Sequence, residues 1–371
     1  MDYNLDNAVN YHYGKFPPEH INYEIFIEEL IKATETLARF DQMIKNLHNS
    51  ELLLAPLRNQ EAVLSSRIEG TISTIDEILQ YEADYDSGLS ENARADVIET
   101  ILYQRALKNA QEALEDGYQF SLNFIKQMHQ QLLFFGRGAS KSPGEFKKEQ
   151  NFLADRAARK IQFIPISAEK LNDGLHELIN YIEKSDSPAL IKAGVAHIEF
   201  EALHPFQDGN GRIGRMLITL LLWKSGVLSQ PHFYISGYFE ENKEEYIDAM
   251  RNVSKNNDWD GWIKFFLTAV HQQAVKNLMI AEQIRDLYEE MKIEFTDLLS
   301  SKWSVATLDF IFTNPVFRNS KFINVTQIPA ATATGVIKKL IERGYLVPKE
   351  AASGRRPALY SFEPLMRLVR V

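Results

Sequence analysis

The sequence predicts an all-α fold that carries one small β-hairpin and ends in a separate unit of mixed helix and strand. Three observations lead there. Apolar residues recur at helical spacing through most of the chain before residue 301. A single break at 136–165, rich in glycine, lysine and arginine, closes with the alternating piece Lys160-Ile161-Gln162-Phe163-Ile164-Pro165. The charge then changes sign: residues 301–371 hold 11 Lys and Arg against 4 Asp and Glu, while the whole chain carries −9. At 371 residues the chain also exceeds the size at which one core stops growing, so two or three domains are expected.

Taken in order, Ile25, Ile27, Leu30, Ile31, Leu37, Phe40, Met43, Ile44 and Leu47 mark a helical N-terminal region after Pro17 and Pro18. A second helix runs over 57–68 and stops at Gly70. Ser73, Ile75, Ile78 and Leu79 begin a third, which fades into the acidic stretch 82–91, read as a loop or boundary. Helical spacing returns over 93–113 and 121–135. After the break, read as a loop plus hairpin, helices resume over 171–182 and 188–203, with Ser187 as N-cap and Pro188 in the first turn. His204 then falls where a helix ends.

Composition narrows the chemistry. The chain has no cysteine, which excludes disulfides, zinc-thiolate sites and thiol nucleophiles. Its opening residues show no basic-then-apolar leader, and no segment offers about 18 unbroken apolar residues, so a cytoplasmic location is expected.

Residues 204–215 read HPFQDGNGRIGR and run into the apolar helix MLITLLLW. Two glycines around Asn210 let backbone N–H groups turn toward one point, which the positive end of the following helix also faces. A base, a carboxylate and two arginines stand beside it, an inventory suited to a polyphosphate. Gly209, Gly211 and Gly214 satisfy G-x-G-x-x-G, but a helix rather than a strand precedes them, which rejects a dinucleotide fold. Asp208 and Asn210 begin a calcium-loop pattern that fails at Arg212, Ile213 and Thr219. The phosphate loop of ordinary NTPases is absent.

Taken whole, the string resembles the signature H-P-F-x-[DE]-G-N-G-R-x-x-R of the Fic family at every specified position. The likeness extends over about residues 92–275 and implies a Fic-type helical core with a β-hairpin flap. It implies protein adenylylation (AMPylation), in which a Ser, Thr or Tyr hydroxyl of a protein, this chain included, attacks the α-phosphate of ATP. His204, neutral near working pH, becomes the general base. His197, one turn deeper, reads as structural. Asp208 becomes the ligand for Mg²⁺, although an Asp before Gly-Asn is also a common turn former. Gly209, Asn210 and Gly211 form the anion-holding turn, with the Asn210 amide able to reach the attacked phosphate. Arg212 and Arg215, three apart, present forks to the outer phosphates from a place where cations oppose the helix dipole. Pro205 and Phe206 shape the loop.

The flap, about 152–166 with Arg156, Arg159 and Lys160, would align the target by strand-like pairing. Tyr246 and Met250, with Ile247 between them, are the candidates for the adenine pocket. Ser65-Ser66-Arg67-Ile68-Glu69-Gly70 resembles the family's inhibitory pattern [ST]-x-x-x-E-[GN], so a helix over about 56–69 would place Glu69 against Arg215. The same carboxylate permits the reverse reaction, de-AMPylation.

In the tail, a helix and a turn lead to a helix from Ala331 to Arg343, followed by Gly344 and two short strands around Gly354-Arg355-Arg356-Pro357. This looks like a winged-helix domain, either binding DNA through Lys338, Lys339, Arg355 and Arg356 or docking protein. The expected layout is an N-terminal helical region over 1–91, the core over 92–275, a helical connector over 276–300, and the winged helix over 301–371. The resemblance also implies a homodimer, at an interface the sequence does not locate.

Overall fold

A computed structural model describes the chain except residues 1–3, 7, 48–49, 87–93 and 156–158, and except the side chains of 50–52 and 137. Strand β1 (Val9–Asn10) precedes helices α1 (Ile27–Lys45), α2 (Ser50–Ile68), α3 (Ile75–Tyr85), α4 (Ala95–Glu115) and α5 (Leu122–Leu132). The break at 136–165 holds β2 (Leu153–Asp155) and β3 (Lys160–Ile164). It is followed by α6 (Leu171–Lys184), α7 (Ala189–Leu203), α8 (Asn210–Lys224), α9 (Ser236–Glu241) and α10 (Lys243–Asn256). Then α11 (Trp259–Leu299) leads to α12 (Ser304–Thr313), β4 (Val316–Arg318), α13 (Asn319–Thr326), α14 (Ala330–Glu342), β5 (Leu346–Glu350), β6 (Leu359–Phe362) and α15 (Glu363–Val369).

Local chemistry sets several boundaries. Thr74 and Glu77 form a reciprocal capping box at the start of α3, and Ser121 caps α5. Helices α7 and α8 are buried on nearly every side, as their apolar sequences require, and pack against each other as the centre of the fold. Ser187 departs from expectation: Pro188 is the N-cap residue of α7, and the Ser187 hydroxyl accepts from Ser185 Oγ instead.

The hairpin forms, with Leu153 opposite Phe163 and Asp155 opposite Lys160, but it is not alone. The two-residue β1 adds in parallel to the far edge of β3, pairing Val9 with Phe163. A strand that short leaves no periodic trace in sequence. Its neighbours pin it: Tyr11 donates to Glu199 Oε1 at 2.6 Å, and the His12 ring bridges Glu199 Oε2 at 2.8 Å and Ser254 Oγ at 2.7 Å.

Apolar side chains gather in two cores. The first joins α1, α4–α10 and the start of α11; the second joins α3, the end of α11 and the unit built from α12–α15 and β4–β6. Helix α2 enters both, with Leu54, Leu57 and Ala62 in the first and Leu53 and Val63 in the second. The boundary expected near 276 does not interrupt the chain, because α11 continues through it for 41 residues, about 60 Å.

The C-terminal strands form an antiparallel sheet in the order β4-β6-β5. Its basic residues are largely occupied within the chain. Arg318, fully buried, donates to Asp84 Oδ1 at 2.5 Å, Glu350 Oε2 at 2.6 Å and Pro357 O at 2.6 Å. Arg356 pairs with Asp84 and Glu350, and Lys339 donates to Leu298 O. Replacing Arg318 with Met should strand two carboxylates and cost about 3 kcal/mol, read as a lower urea midpoint with Arg318→Lys falling between. A midpoint equal to that of the unaltered chain would refute this account of the junction.

Candidate active site

Helix α7 stops because His204 takes a left-handed conformation, φ +45° and ψ +61°, which turns the chain toward α8. A β-carbon is disfavoured there, so the loop must be held from outside. Lys147 supplies two bonds, from its backbone N–H to Pro205 O at 2.8 Å and from Nζ to Leu203 O at 3.0 Å. Asn151 Nδ2 donates to the carbonyls of His204 and Phe206, both at 3.0 Å. His129 stacks on Phe206 with ring centroids 3.6 Å apart. Its Nδ1 accepts the Gly144 N–H, so the proton lies on Nε2 and is donated to Asp208 O at 2.9 Å. Burial holds the His129 imidazole neutral, lowering its pKa to about 4.

Gly209, at φ +80°, is the N-cap residue of α8 and aims the first N–H groups of that helix out of the loop. Asn210 departs from expectation. Both ends of its amide engage the Phe206 backbone, Oδ1 accepting and Nδ2 donating at 2.9 Å, so it staples the loop instead of facing a phosphate. Arg212 and Arg215 are both buried but diverge. Arg212 lies 3.5 Å from Asp208 and 3.7 Å from Glu99, and its Nε and Nη1 find no hydrogen-bond acceptor among the described residues.

Arg215 is bound to the end of α2 and the residue after it, donating from Nε to Ser65 Oγ at 2.9 Å, and from Nη2 to Ser65 O at 2.9 Å and Glu69 Oε1 at 2.8 Å. A Cβ added at Gly211 would overlap that same Glu69 oxygen, so the carboxylate rests on the first turn of α8 where only a glycine leaves room. Burial works to raise the Glu69 carboxyl, but the Arg215 guanidinium, with Arg212 and His204 adding to it, holds the pKa below the usual range. Lys243 Nζ closes the end of α2 on Ile68 O at 2.5 Å.

His204, Glu69, Glu201 and Met250 line one cavity of about 480 Å³, whose walls also include Phe163 from the flap and Ile247 from α10. Burial, aided by the Lys147 ammonium, lowers the His204 pKa to about 4, leaving its imidazole free to take a proton. Tyr246 does not line this cavity. It stacks on Phe239 with ring centroids 4.3 Å apart and bonds the His197 Nε2 at 2.8 Å, which makes both residues part of the core. Of the flap's basic residues, Arg156 lies outside the described residues.

Among the described residues no group of three or more His, Cys, Asp or Glu could hold a metal. Asp208, with 42 % of its side chain exposed at the mouth of the loop, therefore suits an ion such as Mg²⁺ only when phosphate oxygens complete the shell. Sequence reasoning missed His129, Lys147, Asn151 and Glu201, whose roles depend on contacts across the fold.

Burial also lowers the His197 pKa from 6.5 to about 3, with Arg215 adding to the effect. As the pH falls below 6.5 the unfolded chain takes up a proton that the folded chain refuses, so stability should decline toward pH 4. His197→Gln should flatten that decline in urea titrations at pH 7 and pH 5, by on the order of 2 kcal/mol. An unchanged slope would count against the assignment.

Family models described as Fic/DOC family N-terminal and Fic/DOC family match residues 27–112 and 119–222, together just over half of the chain. A probable protein adenylyltransferase of Aquifex aeolicus is 23 % identical over 305 residues, covering 80 % of this chain and 83 % of that protein. The protein adenylyltransferase fic-1 of Caenorhabditis briggsae is 25 % identical over 169 residues, 38 % of this chain. The chain spans only 32 % of that worm protein's length. In structure, a Fic family protein from Desulfovibrio desulfuricans G20 shares the fold with a TM-score of 0.58 at 18 % identity, covering 93 % of this chain and 98 % of its own. The motif, the helical core around it and these matches agree, and the chain belongs to the Fic/DOC family.

Proposed function

We propose that the chain is a protein adenylyltransferase that moves AMP from ATP to a protein hydroxyl and is held in check by Glu69. The observation that carries this is the carboxylate lodged on Gly211 and Arg215, at the N-terminus of α8. A carboxylate there stands where an anionic phosphate oxygen would sit, and the helix dipole and guanidinium favour either. When Glu69 withdraws, Arg215 is released for the terminal phosphates. Arg212, buried beside Asp208 and Glu99 with no hydrogen bond to its Nε or Nη1 among the described residues, offers a second fork.

His204 lines the same cavity and accepts the proton of the incoming hydroxyl while its oxygen bonds to the α-phosphorus. The bond to the bridging oxygen breaks, and pyrophosphate departs with that electron pair. Backbone N–H groups of the loop and first turn of α8 meet the charge that develops. Mg²⁺, held by Asp208 and phosphate oxygens, would supply further charge neutralisation when bound. Strand β2, outermost in the order β1-β3-β2 among the described residues, gives Leu153 and Ala154 to the cavity wall and suits strand-like pairing with the target.

Glu69 and His204 share one cavity, which also supports a reverse reading, removal of AMP from a modified protein by water that Glu69 positions. The DNA reading of the tail has less support, since Arg356 and Lys339 are engaged within the chain and Lys338 pairs with Glu342. The strand order and helix succession of 304–362 still fit a winged helix, used here for docking inside the molecule.

Incubation with α-labelled ATP and Mg²⁺ should give labelled protein. Glu69→Gly should raise the label at least about tenfold, and His204→Ala should lower it by about a thousandfold. Equal labelling by Glu69→Gly and the unaltered chain would end the inhibitory role. Label retained by His204→Ala would end the transfer mechanism.

A further inference from the structure

Glu201 sits in the last turn of α7, three residues before His204, and lines the same cavity. Its Oε1 is sealed from solvent and has no hydrogen-bond partner among the described residues. A Cβ at Gly214 would overlap that oxygen, and would lie 3.2 Å from His197 Cε1, so the carboxyl is wedged against the backbone of α8. That unpaired buried oxygen is costly to leave so, Ile198 and Ala202 beside it in the cavity wall offer nothing polar from their side chains, and since the residue as a whole is part-exposed, its other oxygen is the one open to the cavity.

We propose that Glu201 binds the ribose hydroxyls of the nucleotide and makes the site selective for a ribonucleotide. The inference rests on reading this cavity as the nucleotide site. Glu201 shares the cavity wall with Glu69, whose Oε1 accepts from Arg215 at the proposed phosphate end, and with Ile247 and Met250, apolar residues suited to a base. In any nucleoside triphosphate the sugar joins those two parts. Burial raises the Glu201 carboxyl to about 8, Glu69 adding to the rise and Arg215 opposing it, so at neutral pH the group is uncharged. It then both donates and accepts, as a sugar hydroxyl does, without repelling the triphosphate.

Calorimetric binding of ATP, 2′-deoxy-ATP and 3′-deoxy-ATP separates the possibilities, using Glu69→Gly so that the cavity is open. That variant should favour ATP over at least one deoxy form by about tenfold. Adding Glu201→Ala should bring the ratio close to one with little change for the deoxy form, and Glu201→Gln should keep much of the ratio. A ratio unaltered by Glu201→Ala, or equal weakening of all three nucleotides, would overturn the ribose assignment while leaving the nucleotide site standing. No binding of any nucleotide by Glu69→Gly would overturn both.

Discussion

The site is organised around one buried cation. Arg215 is 1 % exposed, and its bonds to Ser65 and Glu69 all end on the last turn of α2. A guanidinium so placed cannot be left alone, because an uncompensated buried charge costs several kcal/mol. Under the proposed mechanism Glu69 leaves Arg215 only as another anion arrives, and a phosphate oxygen is the natural exchange for a carboxylate. In that reading the position of Glu69 and occupancy of the site are coupled through one guanidinium.

Helix α2 is held by more than that exchange. Glu61, buried in its middle, accepts from Tyr103 at 2.8 Å and from the Ser236 hydroxyl at 2.6 Å, tying α2 to α4 and α9. On its other face, Gln60 donates to Val369 O at 3.0 Å, and Leu53 and Val63 pack into the core shared with the C-terminal unit. Beyond Ile68 the chain is held by Arg215 on the Glu69 carboxylate and by Lys243 on the Ile68 carbonyl, before it turns at Gly70. Under the proposed mechanism, moving Glu69 alone, just past the end of α2, sacrifices fewer contacts than unwinding the turn at Ser65 or lifting the whole helix.

Much of this was legible in the sequence and some was not, for identifiable reasons. The helices were visible because their apolar stripes are local, and the motif because its chemistry is contiguous. Ser65 and Glu69 were visible because their targets on α8 carry the motif itself. Lys147 and Asn151 were not, since each reaches carbonyls more than 50 residues away from a segment with no periodicity. The bonds of Asn210 to the Phe206 backbone and the stacking of Tyr246 on Phe239 were hidden for a related reason: both link a residue to neighbours that the local pattern does not reveal.

The charge asymmetry of the tail teaches the same lesson with opposite sign. Eleven cations against four anions in 301–371 suggest an external acidic partner when that segment is weighed by itself. In the fold, Arg318 and Arg356 meet Asp84, Lys321 meets Asp86, and Arg370 grips Asp76 with two bonds of 2.9 Å. All three acids lie on or just after α3, the element whose acidic end reads in sequence as a boundary. The basic tail and that acidic helix are complementary halves of one junction, buried at Arg318 and open to solvent at Arg370. Exposed pairs of this kind contribute little each, so the apolar core beneath them, and not the charge, supplies most of the adhesion. The charges set which face of the C-terminal unit meets α3, and in doing so they fix the side from which α2 is supported.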